Sequence, residues 1–386
     1  MTMAGTGQCF LLLPSAPAPF PSKLVGKIKK MTIGVRGRDV GVASFLIRAH
    51  RHVSCSCRLL LLLSLLCLQV FAQTGAWARQ RVTSLAWLHA VFFLDQNRGW
   101  AVGSRGTLLG TLDGGKTWQA KSQPTEDILR DIYFTDDQNG WLVCETNVYE
   151  LKTKEQPRSY LMQTSDAGEH WKRINIRGAD VDARLMRAVF SHGGRGWAFG
   201  EGGAIYATRD AGETWARLHS PTRHLLLGGT FIDEDRGWLV GAGSTIIQTS
   251  DGGETWHLSR LPGATETAIR FAATSFVDNR LGWAVGSNGS IYRTENGGRT
   301  WQQQNSGVTT DLLDVKFLDA AEGWVVGAEG TIIYTNDGGL HWTSEHSDTE
   351  HPLERIFFAD RTHGWAVGFG GTVVAYVRAE APRLGK

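Results

Sequence analysis

Cysteine is scarce in this chain of 386 residues, and its distribution leaves most of the chain without disulfides. Only five cysteines occur, and four of them stand within the first 72 residues, at Cys9, Cys55, Cys57 and Cys67. Cys144 is left alone in the remainder, so no internal disulfide can form there. The part that follows residue 72 must therefore be stabilised by packing.

Acidic residues are almost absent from the same first 72 residues, which contain nine Lys and Arg but only one acid, Asp39. The whole chain has 40 basic and 38 acidic residues, so residues 73–386 hold 31 and 37 of them respectively. Because the later part carries this acidic excess, nucleic acid is not expected among its partners. Its overall share of charged residues, 20%, is ordinary for a globular protein and argues against wholesale disorder.

The basic segment ends in an uninterrupted apolar run, Leu59–Ala72. This run is too short for a comfortable membrane span but suits the hydrophobic region of a secretory signal, and Val70-Phe71-Ala72 offers an imperfect cleavage site. We therefore predict a leader with a signal peptide (1–72) and an exported body (73–386). A buried core helix, an uncleaved signal anchor and a true start at Met31 are the alternatives that stay open.

Helical periodicity is also lacking after residue 72, where a repeat dominates instead. The pair Gly-Trp occurs seven times, at intervals of 41, 56, 41, 45, 41 and 41 residues, and its tryptophans are Trp100, Trp141, Trp197, Trp238, Trp283, Trp324 and Trp365. A phenylalanine stands seven residues before each of them, at Phe93, Phe134, Phe190, Phe231, Phe276, Phe317 and Phe358. Self-similarity of this kind predicts structural units that pack on their neighbours.

A second tryptophan follows each of the first six Gly-Trp pairs and closes a short motif such as TSDGGETW (249–256). The polar residue at the centre of the motif is Asp113, Asp166, Asp210, Asp251, Asn296 or Asp337. Runs such as AVFFLD, GWAVG and SIYRT read as short strands, and D-G-G reads as a tight turn before a fourth strand. Four short antiparallel strands in about 41 residues predict an all-β, seven-bladed β-propeller of four-stranded blades.

The seventh unit lacks both the turn motif and the second tryptophan, and the missing part is found at the other end of the repeat. Trp77 stands 23 residues before Trp100, which is the separation between a second tryptophan and the next Gly-Trp in four of six cases. We therefore predict that the N-terminal strand of the exported body completes the last blade and closes the ring. Of the 15 tryptophans, only Trp87 lies outside this register.

The S/T-x-D-x-G-x-T-W motif resembles the Asp-box, or bacterial neuraminidase repeat. Its combination with F-x-D-x-x-x-G-W-x-V-G resembles the photosystem II stability/assembly factor family, over about residues 77–377. This resemblance implies a seven-bladed propeller, exported to the periplasm or thylakoid lumen, that binds membrane-protein subunits during assembly without catalysis. We accordingly expect membrane-protein subunits or other envelope proteins as partners, a monomer, and no cofactor, metal or small-molecule substrate.

The carboxylates of the turn motif are the first candidate site. They recur at one turn position, so they should lie far apart around the ring, which favours a structural capping role. The alternative is a glycoside hydrolase of the Asp-box type, sialidase-like or glucanase-like, which would need two carboxylates facing one cleft.

The second candidate is an arginine patch that would bind carboxylate-rich or lipid-facing partners, a hypothesis that the resemblance also favours: Arg79, Arg81, Arg130, Arg187, Arg223, Arg270 and Arg355. A solvated surface is the simpler interpretation. Salt-bridged rims are another, because Asp131 and Asp314 occupy the repeat position of Arg187 and Arg355. An insertion around Lys152–Tyr160 in the second unit is a further place for a partner to bind.

Overall fold

The computed structural model describes residues 75–147, 149, 151, 157–174, 176, 183–191, 194–261 and 269–378. The predicted leader, with the apolar run Leu59–Ala72, lies outside these residues. Within them the chain forms 28 strands in seven four-stranded antiparallel sheets. No helix in this described part is long and apolar enough to cross a membrane.

The first strand, β1 (Ala76–Arg79), belongs to the last sheet, and the other strands follow in chain order. The first three sheets consist of β2 (Leu88–Phe93), β3 (Gly99–Gly103), β4 (Leu108–Thr111) and β5 (Gln119–Ala120); β6 (Ile128–Phe134), β7 (Gly140–Glu145), β8 (Ser159–Thr164) and β9 (Lys172–Ile174); and β10 (Leu185–Phe190), β11 (Gly196–Gly200), β12 (Ile205–Thr208) and β13 (Ala216–Arg217). The next three consist of β14 (Leu226–Phe231), β15 (Gly237–Gly241), β16 (Thr245–Thr249) and β17 (His257–Leu258); β18 (Phe271–Phe276), β19 (Gly282–Gly286), β20 (Ser290–Thr294) and β21 (Gln302–Gln304); and β22 (Leu312–Phe317), β23 (Gly323–Gly327), β24 (Ile332–Thr335) and β25 (Thr343–Glu345). The last contains β26 (Leu353–Phe358), β27 (His363–Gly368) and β28 (Val373–Val377) with β1, and short 3-10 turns lie at Glu201–Gly203, Ala328–Gly330 and Phe369–Gly371.

The strands that open the seven sheets contact one another in cyclic order: β2, β6, β10, β14, β18, β22, β26 and again β2. They therefore surround a central channel, and we number their sheets as blades 1 to 7. The predicted all-β, seven-bladed propeller with four-stranded blades is confirmed.

The repeated aromatic residues join neighbouring blades. Each Gly-Trp indole packs on the repeated phenylalanine of the next blade, with ring centroids 3.4–5.2 Å apart, and the last such pair, Trp365 with Phe93, joins blade 7 to blade 1. The second tryptophan meets the phenylalanine of its own blade edge-on, at 5.8–6.2 Å. Each blade boundary therefore buries a three-ring cluster, which accounts for fourteen of the fifteen tryptophans.

The last blade obtains its outer strand from the beginning of the described chain. β1 pairs antiparallel with β28, with Trp77 opposite Tyr376. The Trp77 indole meets Phe358 edge-on at 5.9 Å, as the second tryptophans do in the other six blades. Gly75 N–H also donates to the Tyr376 hydroxyl at 3.0 Å.

Strand direction divides the features of the ring between two faces. The innermost strands all begin at one end, which we call the arginine face, and the turns between second and third strands lie there too. The turns between first and second strands, and the Asp-box turns between third and fourth strands, lie at the opposite end, the Asp-box face. Each innermost strand carries a β-bulge near the arginine face, at His89, Arg130, Met186, Leu227, Ala272, Leu313 and Glu354.

Candidate binding face and channel

The channel just inside the arginine face is crossed by two ion pairs. Arg187 of blade 3 contacts Asp314 of blade 6, and Arg355 of blade 7 contacts Asp131 of blade 2, each at 3.4 Å. Because neither pair joins neighbouring blades, both must span the channel. These two arginines are therefore salt-bridged, which was one of the interpretations of their repeat position, and their side chains are only 15% and 12% exposed.

Backbone amides hold the two channel carboxylates in place. Ala188 N–H donates to Asp131 at 3.2 Å, and Ile356 N–H donates to Asp314 at 3.0 Å. Burial nonetheless raises the pKa of both aspartates, because the cost of desolvating the carboxylates exceeds the attraction of Arg187 and the amide hydrogen bonds. The channel is thus a buried, nearly balanced charge network.

Arg130, at the bulge of blade 2, lies at the mouth of this channel. Its Nε contacts Glu145 at 2.5 Å, and Arg184 approaches the same carboxylate at 3.8 Å. Burial, assisted by the positive charge of Arg130, lowers the pKa of His89 in blade 1 to about 3, so this imidazole is neutral near pH 7. The mouth therefore carries its positive charge on arginine.

The four remaining arginines of the predicted patch are exposed, and no ion pair joins any of them to another described residue. Arg223 and Arg270 lie in the segments that lead into β14 and β18, on the arginine face. Arg79 ends β1 and Arg81 follows it, at the outer edge of blade 7 in the half of the ring nearer that face. All seven arginines thus lie in the half of the propeller, measured along its axis, that is nearer the arginine face, but they do not form one patch.

An exposed apolar patch on the arginine face lies outside the repeat. It consists of Leu85, Trp87 and Phe369, whose exposed fractions are 86%, 41% and 45%. The Trp87 ring meets Phe369 edge-on at 5.4 Å, and its Nε1–H donates to Glu354 at 3.0 Å. The signal in the sequence was the failure of Trp87 to fit the register, since a tryptophan that the blades do not use is free to face solvent.

Glu354 connects this patch to the arginines. Burial raises its pKa, and the hydrogen bond from Trp87 and the charges of Arg130, Arg187 and Arg270 oppose that rise. Trp87 and Phe369 therefore lie beside a mouth with a positive electrostatic character. Sequence reasoning missed Glu354 because only its position at the bulge, not its residue type, places it there.

The Asp-box side chains lie on the opposite face and hydrogen bond within their own turns. In the first box, Thr117 N–H donates to Asp113 Oδ1 at 2.9 Å, and the Thr117 hydroxyl donates to Oδ2 at 2.6 Å. Equivalent bonds donated by the Thr214 hydroxyl and amide lower the pKa of Asp210 to about 2. Asn296 accepts the Thr300 amide at 3.0 Å and donates from its Nδ2 to the Thr300 hydroxyl. These groups cap turns and sit one to a blade, at Asp113, Asp166, Asp210, Asp251, Asn296 and Asp337.

The insertion in the second unit and the capacity to bind a metal are the two remaining points. The insertion in blade 2 is described only from Pro157 onwards, since residues 152–156 lie outside the described part of the chain. No cluster of His, Cys, Asp and Glu able to hold a metal ion occurs among the residues the structure places.

The chain matches a protein family and several curated proteins in sequence. The family described as Photosynthesis system II assembly factor YCF48 matches residues 70–127, 118–228, 217–306 and 299–375. The chloroplastic photosystem II stability/assembly factor HCF136 of Arabidopsis thaliana is 29% identical over 127 residues, 31% of this chain and 28% of that protein. The chain therefore aligns with under a third of this curated relative's length.

Solved structures share the fold. YCF48 bound to a D1 peptide has a TM-score of 0.64 at 21% identity, with 79% of this chain and 96% of that chain covered. A GH74 xyloglucanase from Xanthomonas campestris has a TM-score of 0.59 at 12% identity, with 78% and 53% covered. At such identities the likeness concerns the fold alone, and the fold serves binding proteins and enzymes alike.

Proposed function

The chain belongs to the Photosynthesis system II assembly factor family, and we propose that it is an exported, non-catalytic assembly or stability factor that binds membrane-protein subunits on its arginine face. In a photosynthetic host the complex would be of the photosystem II type, in keeping with the names of its relatives. Export to the periplasm or thylakoid lumen is inferred from the apolar run Leu59–Ala72 and its basic flank. We expect a monomer, since the outer strand of each blade is only two to four residues long and offers little edge to pair.

The observation that carries this proposal is the exposed patch of Leu85, Trp87 and Phe369 beside a basic mouth. Tryptophan and arginine are over-represented among the residues that dominate protein–protein binding energies. Arg223 and Arg270 are exposed and have no ion-pair partner among the described residues, so they can pair with carboxylates of a partner. A protein segment that combines apolar and acidic side chains fits this surface.

The hydrolase alternative finds less support in the channel. Among the residues the structure describes, Asp131 and Asp314 face it just inside the arginine face, and each carboxylate is held by an arginine and by a backbone amide. A glycosidase instead keeps one carboxyl group free to donate a proton and another free to act as a nucleophile or base. The Asp-box carboxylates are likewise engaged in their own turns, on the other face.

The proposal is tested by recovering membrane proteins of the host on the purified exported protein. Replacing Trp87 and Phe369 together by alanine should reduce the amount of co-purified membrane-protein subunit at least tenfold, because both exposed rings are lost. Arg270→Glu should weaken binding and reduce its dependence on salt concentration, because one attractive charge is reversed.

Leu112 and Leu340 provide the matched control, since both are exposed apolar side chains on the Asp-box face. Changing both to alanine should leave recovery unaltered. Equal recovery by the wild-type protein and by the double variant of Trp87 and Phe369, with all proteins folded, would refute binding on the arginine face. Recovery of no membrane or envelope protein by the wild-type protein would count against the assembly role itself.

A further inference from the structure

Lys316 introduces an isolated positive charge into the wall of the channel. It lies on β22 in blade 6, eight residues before the Gly-Trp indole. The six equivalent positions in the other blades hold Phe92, Tyr133, Val189, Thr230, Ser275 and Phe357, all of them uncharged. The side chain of the next residue, Phe317, stacks on Trp283 of blade 5. Because strand side chains alternate, the Lys316 side chain leaves the sheet on the other side, as Phe92 does in blade 1.

The other polar side chains at this level of the channel have partners in the next blade. The Tyr133 hydroxyl donates to the Phe190 carbonyl at 2.9 Å, and the Thr230 hydroxyl donates to the Thr274 carbonyl at 2.6 Å. Ser275 accepts the Phe317 amide at 3.1 Å. No hydrogen bond or ion pair joins the Lys316 ammonium to any residue in the described ranges.

The surroundings of Lys316 are those of a side chain that lines a channel. Protein surrounds it deeply enough for desolvation to lower its pKa, an effect that Asp314 opposes only in part. It nevertheless retains some accessible surface, so the channel admits solvent to it. Asp314 cannot fully neutralise Lys316, because its carboxylate is already bound to Arg187 and to the Ile356 amide. Among these channel groups the three cations Arg187, Arg355 and Lys316 face only two carboxylates.

Aromatic side chains occupy this level in the blades that follow Lys316 around the ring. Phe357 belongs to the next blade, and its ring lies 5.1 Å from that of Phe92, which in turn lies 5.3 Å from that of Tyr133. Blades 7, 1 and 2 thus present an aromatic arc at this level, which begins in the blade next to that of Lys316. The crossing pairs of Arg187 and Arg355 occupy the channel on the arginine side of this level.

From the unpartnered ammonium of Lys316 and the aromatic arc beside it, we propose that the channel binds a small organic carboxylate. The carboxylate pairs with Lys316, and the apolar part of the ligand packs on Phe357 and Phe92. This site is independent of the arginine face and of the partner proposed to bind there. An isolated buried ammonium is costly, whereas one paired with a desolvated carboxylate gains a charge-assisted hydrogen bond.

The proposal can be tested with benzoate, and benzamide provides a neutral molecule of the same shape. Binding to the purified exported protein is followed by calorimetry and by the shift of its melting temperature. Benzoate should bind and raise the melting temperature in a concentration-dependent way, and benzamide should bind at least tenfold more weakly. Lys316→Met should reduce benzoate affinity at least tenfold, whereas Lys116→Met, which removes an exposed lysine from an Asp-box turn, should not.

Equal affinity for benzoate and benzamide would overturn the proposal, as would equal benzoate affinity in the wild-type protein and the Lys316→Met variant. If Lys316→Met does not fold, Lys316→Gln takes its place, and unchanged benzoate affinity in that variant would likewise overturn the proposal. Membrane-protein recovery by Lys316→Met should match that of the wild-type protein, so failure of the channel site and failure of the assembly role give different results.

Discussion

Replacing Trp77 by alanine should detach the outer strand of blade 7. The indole is 4% exposed and contacts two rings, Phe358 at 5.9 Å and Tyr376 at 5.3 Å. Each such aromatic pair contributes roughly 0.5–1.5 kcal/mol beyond the area it buries. Loss of a buried tryptophan costs about 3–5 kcal/mol in total. Because Trp77 packs mainly within its own blade, most of this loss should fall on the local opening of β1 and β28.

Amide hydrogen exchange measures that local opening. Since about 1.4 kcal/mol corresponds to a factor of ten, amides of β28 should exchange roughly a hundredfold to a thousandfold faster in Trp77→Ala. Trp256→Ala is the matched control, because Trp256 meets Phe231 edge-on in blade 4 and, like Trp77, has no hydrogen-bond partner for its Nε1 in the described part. It should accelerate exchange in blade 4 and leave β28 unchanged. Unchanged exchange of β28 in Trp77→Ala would refute the role of this tryptophan in the last blade.

Three further changes test the turns and the channel. Ala167 and Ala211 have positive φ angles of 59° and 53° at a turn position where the other Asp-boxes have glycine. Because alanine is strained there, Ala→Gly at either position should raise the free energy of unfolding, measured by urea titration, by about 0.5–1 kcal/mol. A decrease would contradict this strain. Asp251→Ala should lower the free energy of unfolding by about 1 kcal/mol, because the turn loses its hydrogen bonds to this side chain. Asp251→Asn should leave it nearly unchanged, because Asn296 fills the equivalent position in another blade. Equal losses in the two variants would argue against capping. Burial raises the pKa of Asp131 above the ordinary carboxyl range, so the folded state binds this proton more tightly than the unfolded state does. Stability should therefore fall as pH rises from about 4 towards neutral, by up to about 1.4 kcal/mol per pH unit. Asp131→Asn should flatten that slope, and an unaltered slope in urea titrations across this range would exclude Asp131 as its cause.

The repeat predicted the blades because each of its residues has the same physical task in every unit. Phe317 stacks on an indole of the preceding blade and receives a second indole from its own, as its six counterparts do. By the same reasoning, the spacing of Trp77 predicts a second tryptophan for the last blade, and Trp77 lies on β1, which pairs with β28. Such positions can be read from one sequence, because seven copies of one environment require seven copies of one side-chain type.

The channel could not be predicted in the same way. Arg187, Asp131, Asp314 and Arg355 share one repeat position but not one residue type, so the sequence shows that they lie at one level without showing which of them meet. The partner of Arg187 depends on the curvature of the ring, which brings blade 3 opposite blade 6. The arginines of the predicted patch therefore divide into the two channel arginines, Arg130 paired with Glu145 at the mouth, and four exposed cations.

A ring of equivalent blades cannot by itself favour one partner or one orientation, because every repeated surface occurs around the whole circle. Selectivity must come from side chains that break the repeat, and the described chain has two places where they gather. Trp87 is the tryptophan that no blade packs, and it lies exposed beside Glu354 and Phe369. Lys316 is the charge at a level of otherwise uncharged side chains, inside the channel. Since the Asp-box carboxylates recur in nearly every blade and bond within their own turns, they define no direction. The repeated tryptophans therefore account for the packing of the blades, while binding should depend on the few residues outside the repeat.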